Sequence, residues 1–173
     1  LLRVAGVTAA VATVGTTRGG HTEPIAYVVA AGATQPSLAG LRTAATAASG
    51  AAWRVVRMDA LPLDANGKVR RRDLPAPPPT RPEVDTPFAP AVTATEQALA
   101  RLWCQALDID EVGIDDDFAE LGGHSLHAID IVMRAAATFG LRGQARLLLQ
   151  SRTVRTMAQH LDRLRDTTGP PRE

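Results

Sequence analysis

The sequence predicts a small α+β unit followed by an all-α bundle of four helices. Three observations carry that reading. Apolar residues form short β-type runs within residues 1–75 and switch to helical spacing after residue 93. A proline-dense stretch separates the halves, with Pro75, Pro77, Pro78, Pro79, Pro82, Pro87 and Pro90. The charge also changes sign. Residues 1–90 hold ten Lys+Arg against six Asp+Glu, and residues 91–173 hold nine against twelve. A basic half followed by an acidic half fits two modules better than one.

The elements follow in order. Ala10-Val11-Ala12-Thr13-Val14 and Pro24 to Ala30 are strand-type runs joined by the polar stretch Gly15 to Glu23, an antiparallel pair. Ser37 can cap a helix through Leu38, Leu41 and Ala45, which Ser49-Gly50 ends. Trp53 to Met58 reads as a further strand. Residues 76–92 are a linker, because such proline density excludes regular hydrogen-bonded structure and favours an extended spacer. Thr93 with Glu96 is a capping-box signature ahead of Leu99, Leu102, Trp103, Ala106 and Leu107.

Asp108 to Gly123 is then a long acidic loop, anchored by Ile109, Val112, Ile114, Phe118 and Leu121. Ser125 is expected to cap the next helix, which Gly140 ends. On that helix Leu126, Ile129, Val132, Met133, Ala136 and Phe139 are spaced to face a core. Ala128, Ile131 and Ala135 form a second stripe, left over as a docking surface. Ala145 to Gln150 reads as a short helix. Thr153 caps the last one, with Val154, Met157, Ala158, Leu161 and Leu164 on its inner face. These helices occupy residues 93–166, and 167–173 read as a disordered tail.

The bulk numbers narrow the setting. A net charge of +1 does not point to nucleic acid. The single cysteine, Cys104, cannot form an intramolecular disulfide and points to a reduced, cytoplasmic environment. No apolar run approaches membrane-spanning length. Leu1-Leu2-Arg3-Val4 lacks both a signal-peptide layout and an initiator Met, so the chain reads as a fragment.

One string concentrates chemistry: Asp117-Phe118-Ala119-Glu120-Leu121-Gly122-Gly123-His124-Ser125-Leu126. It puts a hydroxyl at the start of a helix, behind a glycine-jointed loop, where another enzyme can reach it. The string resembles the core motif of peptidyl carrier domains of nonribosomal peptide synthetases, and the likeness extends from Thr95 to Leu164. The resemblance implies a four-helix carrier fold. It implies a 4′-phosphopantetheine arm, taken from coenzyme A, on Ser125, and an aminoacyl or peptidyl thioester on that arm. It also implies partners: a phosphopantetheinyl transferase and the adenylation, condensation and thioesterase domains of a synthetase. Gly123, His124, Leu126, Ala128 and Ile131 are the contact residues expected around Ser125. Asp130, Ala137 and the segment Leu141 to Ala145 depart from the family's usual residues, which bears on partner choice.

A second string is Leu61-Pro62-Leu63-Asp64-Ala65-Asn66-Gly67-Lys68-Val69-Arg70-Arg71. Asn66-Gly67 is a turn signal that would hold Lys68, the chain's lone lysine, at a loop tip. The string resembles the last core motif of adenylation domains, which precede carriers. That resemblance implies that residues 1–75 are part of an adenylation C-terminal subdomain. It also implies that Lys68 stabilises carboxylate and phosphate oxygens during adenylate formation. The glycine-rich phosphate loop and substrate pocket of such ligases are absent, so no independent acid activation is expected. An alternative function is completion of an adenylating ligase in trans through Lys68.

Other classes fit poorly. Gly123 to His127 nearly matches the nucleophile elbow G-x-S-x-G, but the last glycine and the preceding apolar strand are missing. Asp108, Asp110 and Gly113 suggest a calcium loop that fails at Val112 and Ala119. Cys104, His124 and His127 have no zinc-site spacing, so no metal is expected. Lys68 to Arg72 lacks the interleaved aromatics of a nucleic-acid surface.

Overall fold

A computed structural model describes residues 1–16, 22–32, 35–141 and 149–167. Among the described residues it holds four α-helices and a three-stranded sheet, in two compact units, Leu1–Asp85 and Thr86–Glu173.

In the first unit β1 (Val7–Thr16) pairs antiparallel with β2 (Thr22–Ala30), Val11 opposite Tyr27. The ladder continues through Gly15–Glu23 and Thr16–Thr22, so the strands take both ends of the polar stretch read as a loop, and residues 17–21 lie outside the described residues. Helix α1 (Leu38–Ser49) then crosses over to β3 (Arg54–Met58), which lies parallel to β2. Ser37 accepts from the Gly40 amide and Gly50 closes the helix at φ 72°, as the sequence expects. Central β2 is apolar on both faces because both are covered. Ala26 and Val28 pack with Leu41 and Val55. Ile25 and Tyr27 pack with Val11 beneath Leu61, Val69 and Leu74. The first part of the proline-rich stretch is fastened to this unit: the Tyr27 hydroxyl donates to the Pro75 carbonyl (2.5 Å) and Arg42 Nη2 to the Glu83 carbonyl (2.8 Å).

In the second unit α2 (Ala94–Leu107), α3 (Ser125–Phe139) and α4 (Val154–Thr167) enclose one core. The capping box forms: the Glu96 amide donates to Thr93 Oγ1, and Glu96 Oε2 accepts from the Thr93 amide. The Thr93 and Val92 amides, both donating to that carboxylate, hold it below its ordinary range. Leu99, Trp103, Leu107, Val154, Met157 and Leu161 are buried, and so are the loop anchors Ile109, Val112, Ile114 and Leu121. Most of the expected short helix, residues 145–148, lies outside the described residues, as does the tail from 168. No described helix is long and apolar enough to cross a membrane.

The phase of α3 differs from the expectation. His127, Ile131, Val132 and Ala135 are buried, whereas Leu126, Ile129 and Met133 are 59%, 52% and 66% exposed. Small side chains let neighbouring elements approach the helix closely, so the Ala128–Ile131–Ala135 stripe forms the contact. Of the bulkier stripe Val132 is buried as expected and Ala136 and Phe139 are half-buried, while Leu126, Ile129 and Met133 are left outside.

Candidate functional site

The loop before α3 is built from its own acidic residues. Asp116 is buried and its Oδ2 accepts from the Gly113 amide (2.7 Å). Asp117 Oδ1 accepts from the Ala119 amide (2.9 Å), starting a turn that the Leu121, Gly122 and Gly123 amides continue onto the carbonyls of Asp117, Ala119 and Phe118. Two ion pairs fasten the loop to α4 and its lead-in. Arg152 Nε lies 2.8 Å from Asp117 Oδ2, and Arg155 forms a fork on Asp115 at 2.6 and 2.8 Å. The fork holds the Asp115 carboxyl below its ordinary range and raises Arg155; Asp117 does the same to Arg152. Backbone bonds run in parallel, Phe118 amide to Arg152 carbonyl and Arg155 amide to Ile114 carbonyl.

Phe118 is the floor of the site. Its ring meets Trp103 edge-on, centroids 5.1 Å apart at 76°. Gly123 rides directly over it: a Cβ there would lie 2.5–2.6 Å from three Phe118 ring atoms. Gly122 has φ 94°, a conformation that favours glycine, with open space around it. The two glycines therefore serve different needs, one close packing and the other a turn.

The chain then enters α3. His124, not Ser125, is the N-cap, in extended backbone (φ −137°, ψ 177°) with no side-chain cap hydrogen bond. Ser125 is the first helical residue and is exposed. The expectation of a serine cap is thus corrected. The turn through Gly122 and Gly123 delivers the chain to α3 one residue earlier. By contrast α1 and α2 are capped by Ser37 and Thr93, and Thr153 Oγ1 accepts from the Thr156 amide at the start of α4.

Around Ser125 the expected contact residues divide. Leu126 is exposed and His124 half-buried. Gly123 is buried over Phe118, so its role is packing. Ile131 is 1% exposed, which corrects its assignment as a contact residue: it faces the core. Ala128 is half-buried and lines a cavity of about 150 Å³ with Trp103, Phe118, Ile131, Val132 and Met157. Ile129 and Met133 extend the exposed stripe that Leu126 begins. His127 is buried with its ring stacked on that of His124. Sequence reasoning overlooked this stack, although the i, i+3 spacing of two aromatic rings was available as a signal.

Lys68 lies in the other unit, exposed on a short hairpin-like turn. Leu63 bridges Val69, and Asp64 Oδ1 accepts from the amides of Asn66 and Lys68, both at 2.9 Å. Gly67 takes φ 78°. Among the described residues no three His, Cys, Asp or Glu side chains are placed to hold a metal ion.

Residues 97–161 match the family profile described as "Phosphopantetheine attachment site". The chain is 39% identical over 106 residues to tyrocidine synthase 3 of Brevibacillus parabrevis, covering 61% of this chain and 2% of that one. It is 38% identical over 111 residues to indigoidine synthase of Streptomyces lavendulae, covering 64% and 9%. The chain thus spans a small fraction of the length of these relatives. Among solved structures it is similar to a four-domain nonribosomal peptide synthetase bound to AMP and glycine, with 30% identity, TM-score 0.43 and coverage of 94% and 12%. Residues 97–161 are thus similar to a phosphopantetheine attachment domain, and the relatives that share this region are large synthases.

Proposed function

We propose that Ser125 is the attachment point of the arm and that residues 93–166 ferry aminoacyl or peptidyl thioesters on it. The observation that carries this is the exposed hydroxyl in the first turn of a helix without a side-chain cap. First-turn amides of such a helix favour a phosphate, so the phosphodiester would sit where backbone donors point. In the transfer, Ser125 Oγ forms a bond to the coenzyme A phosphorus as the pyrophosphate bond breaks. 3′,5′-ADP leaves, and the hydroxyl proton passes to a base of the transferase. The loop clamps hold Ser125 in place while the rest of the chemistry belongs to partner enzymes. A flexible tether raises the effective concentration of its cargo at each active site within reach.

Within this reading residues 1–75 are part of an adenylation C-terminal subdomain, 76–92 a linker and 167–173 a tail. The partners are a phosphopantetheinyl transferase and adenylation, condensation and thioesterase domains, in a cytoplasmic setting. A second reading, assisted adenylation in trans, is favoured by one observation. The Asp64 carboxylate orders the turn that presents Lys68, whose ammonium would meet carboxylate and phosphate oxygens.

The test is intact mass after incubation with coenzyme A, magnesium and a broad-specificity transferase. The parent should gain one phosphopantetheine and Ser125→Ala none. A parent that gains nothing while folded would overturn the carrier assignment of Ser125. Lys68→Ala should leave the gain intact, because assisted adenylation needs Lys68 and attachment does not.

A further inference from the structure

His127 is buried at 1% exposure on the same helix as Ser125. Its ring stacks on His124, centroids 3.8 Å apart and planes 29° from parallel. His124 immediately precedes Ser125 and occupies the N-cap position, yet its side chain does not cap the helix. Its ring is instead laid along the first turn against a group that the core holds still. A ring that is half-exposed and also pre-ordered presents a fixed face beside the reacting hydroxyl.

We propose that His127 is a positioning residue. It fixes the His124 ring in the orientation that the enzyme delivering the phosphopantetheine group meets when it docks over Ser125. The inference rests on Ser125 being the attachment site. Its physical content is preorganisation. A side chain ordered before docking spares the complex the entropy of ordering it afterwards. That saving applies equally to the bound ground state and the transition state. Loss of the stack therefore raises KM and leaves kcat in place.

The experiment measures initial rates of arm incorporation against concentration of the full chain, with coenzyme A, magnesium and a broad-specificity transferase. The variants are His124→Ala, His127→Leu, His127→Phe and the double His124→Ala/His127→Leu. Removing the His127 ring should raise KM roughly 2- to 10-fold at unchanged kcat. His127→Phe, which keeps an aromatic face, should restore it. Once His124 is alanine, His127→Leu should add nothing, because its effect passes through that ring.

Thermal unfolding of each variant monitors the fold, and His127→Gln replaces His127→Leu if the latter does not fold. The proposal is overturned if His124→Ala leaves KM unchanged. It is also overturned if His127→Leu raises KM equally in both backgrounds, the mark of a purely structural role. A parent that takes up no arm would overturn the Ser125 reading and this one together. Normal uptake with an additive cycle would overturn this one alone.

Discussion

Gly123→Ala tests the packing beneath Ser125. The added methyl carbon would lie 2.5–2.6 Å from three atoms of the Phe118 ring. Carbon atoms in contact prefer about 3.5–4.0 Å, so roughly 1 Å of overlap must be removed. On one side the ring is backed by Trp103, itself 1% exposed. Retreat toward the cavity would break the edge-to-face pair, worth about 0.5–1.5 kcal/mol. Overpacking of this kind costs about 1–3 kcal/mol. The amides at the core of α2 and α4 are expected to exchange through opening of the second unit. Their exchange should therefore quicken roughly 5- to 150-fold, read by hydrogen exchange on the full chain.

Two controls make the reasoning refutable. Phe118→Leu in the Gly123→Ala background removes the obstructing ring atoms. The double variant should then be more stable than the sum of the two single losses by at least about 0.5 kcal/mol. Gly122→Ala meets no atom but must adopt φ 94°, a strain of about 1–3 kcal/mol that Phe118→Leu should not relieve. Unchanged exchange in Gly123→Ala, or strict additivity with Phe118→Leu, would show that Phe118 does not close the space over which Gly123 passes.

The other predictions concern burial and titration. Ile131→Ala should cost about 2–5 kcal/mol because Ile131 is core, while Met133→Glu should change stability by no more than about 0.5 kcal/mol. Denaturant midpoints in the opposite order would restore the rejected phase of α3. Arg155 holds the Asp115 carboxyl below its ordinary range, so this pair stabilises the fold above the unfolded carboxyl value near about pH 4. The contribution is lost as pH falls through the lower folded value. Asp115→Asn should flatten that acid limb, and an identical urea midpoint profile between roughly pH 2 and 6 would contradict it. Burial, with Asp110 and Glu111 adding, pushes the Cys104 thiol up to about 11. Alkylation by iodoacetamide should be slow at neutral pH and accelerate only as the medium approaches that value. Prompt labelling at pH 7 would mean that α2 opens there.

Local rules with a strong backbone cause were legible in the sequence. Ser37, the Thr93–Glu96 capping box, Gly50 and Gly140 mark helix ends because they satisfy or redirect specific backbone groups. Ile109, Val112, Ile114 and Leu121 were legible as anchors because isolated apolar residues in an acidic loop have nowhere else to go. The phase of α3 was not, since the helix carries apolar residues on most of its circumference and periodicity alone cannot choose between two stripes. The choice depends on which stripe lets other elements come close, a tertiary property. The same limit applies to Asp115–Arg155 and Asp117–Arg152: forty and thirty-five residues apart, they are joined by the fold and by no local pattern. Ser125 was one residue off its expected place because the glycine turn, not the serine, sets where the helix begins.

The arrangement of α3 follows from two demands on a single helix. Its inner face must hold the bundle together, and small residues such as Ala135 do this by allowing close approach. Its outer face carries the remaining apolar residues and must still tolerate water when alone. Leu126, Ile129 and Met133 meet that demand as an interrupted stripe, with Asp130 and Arg134 paired beside it at 2.8 Å. Ser125 stands at the head of the helix, after a loop that its own ion pairs and the buried Asp116 hold in shape. The loop thus supplies order while Ser125 itself stays exposed. Under the proposed function this suits the site, because the hydroxyl has to be reached once by the transferase and the arm attached there then has to swing freely.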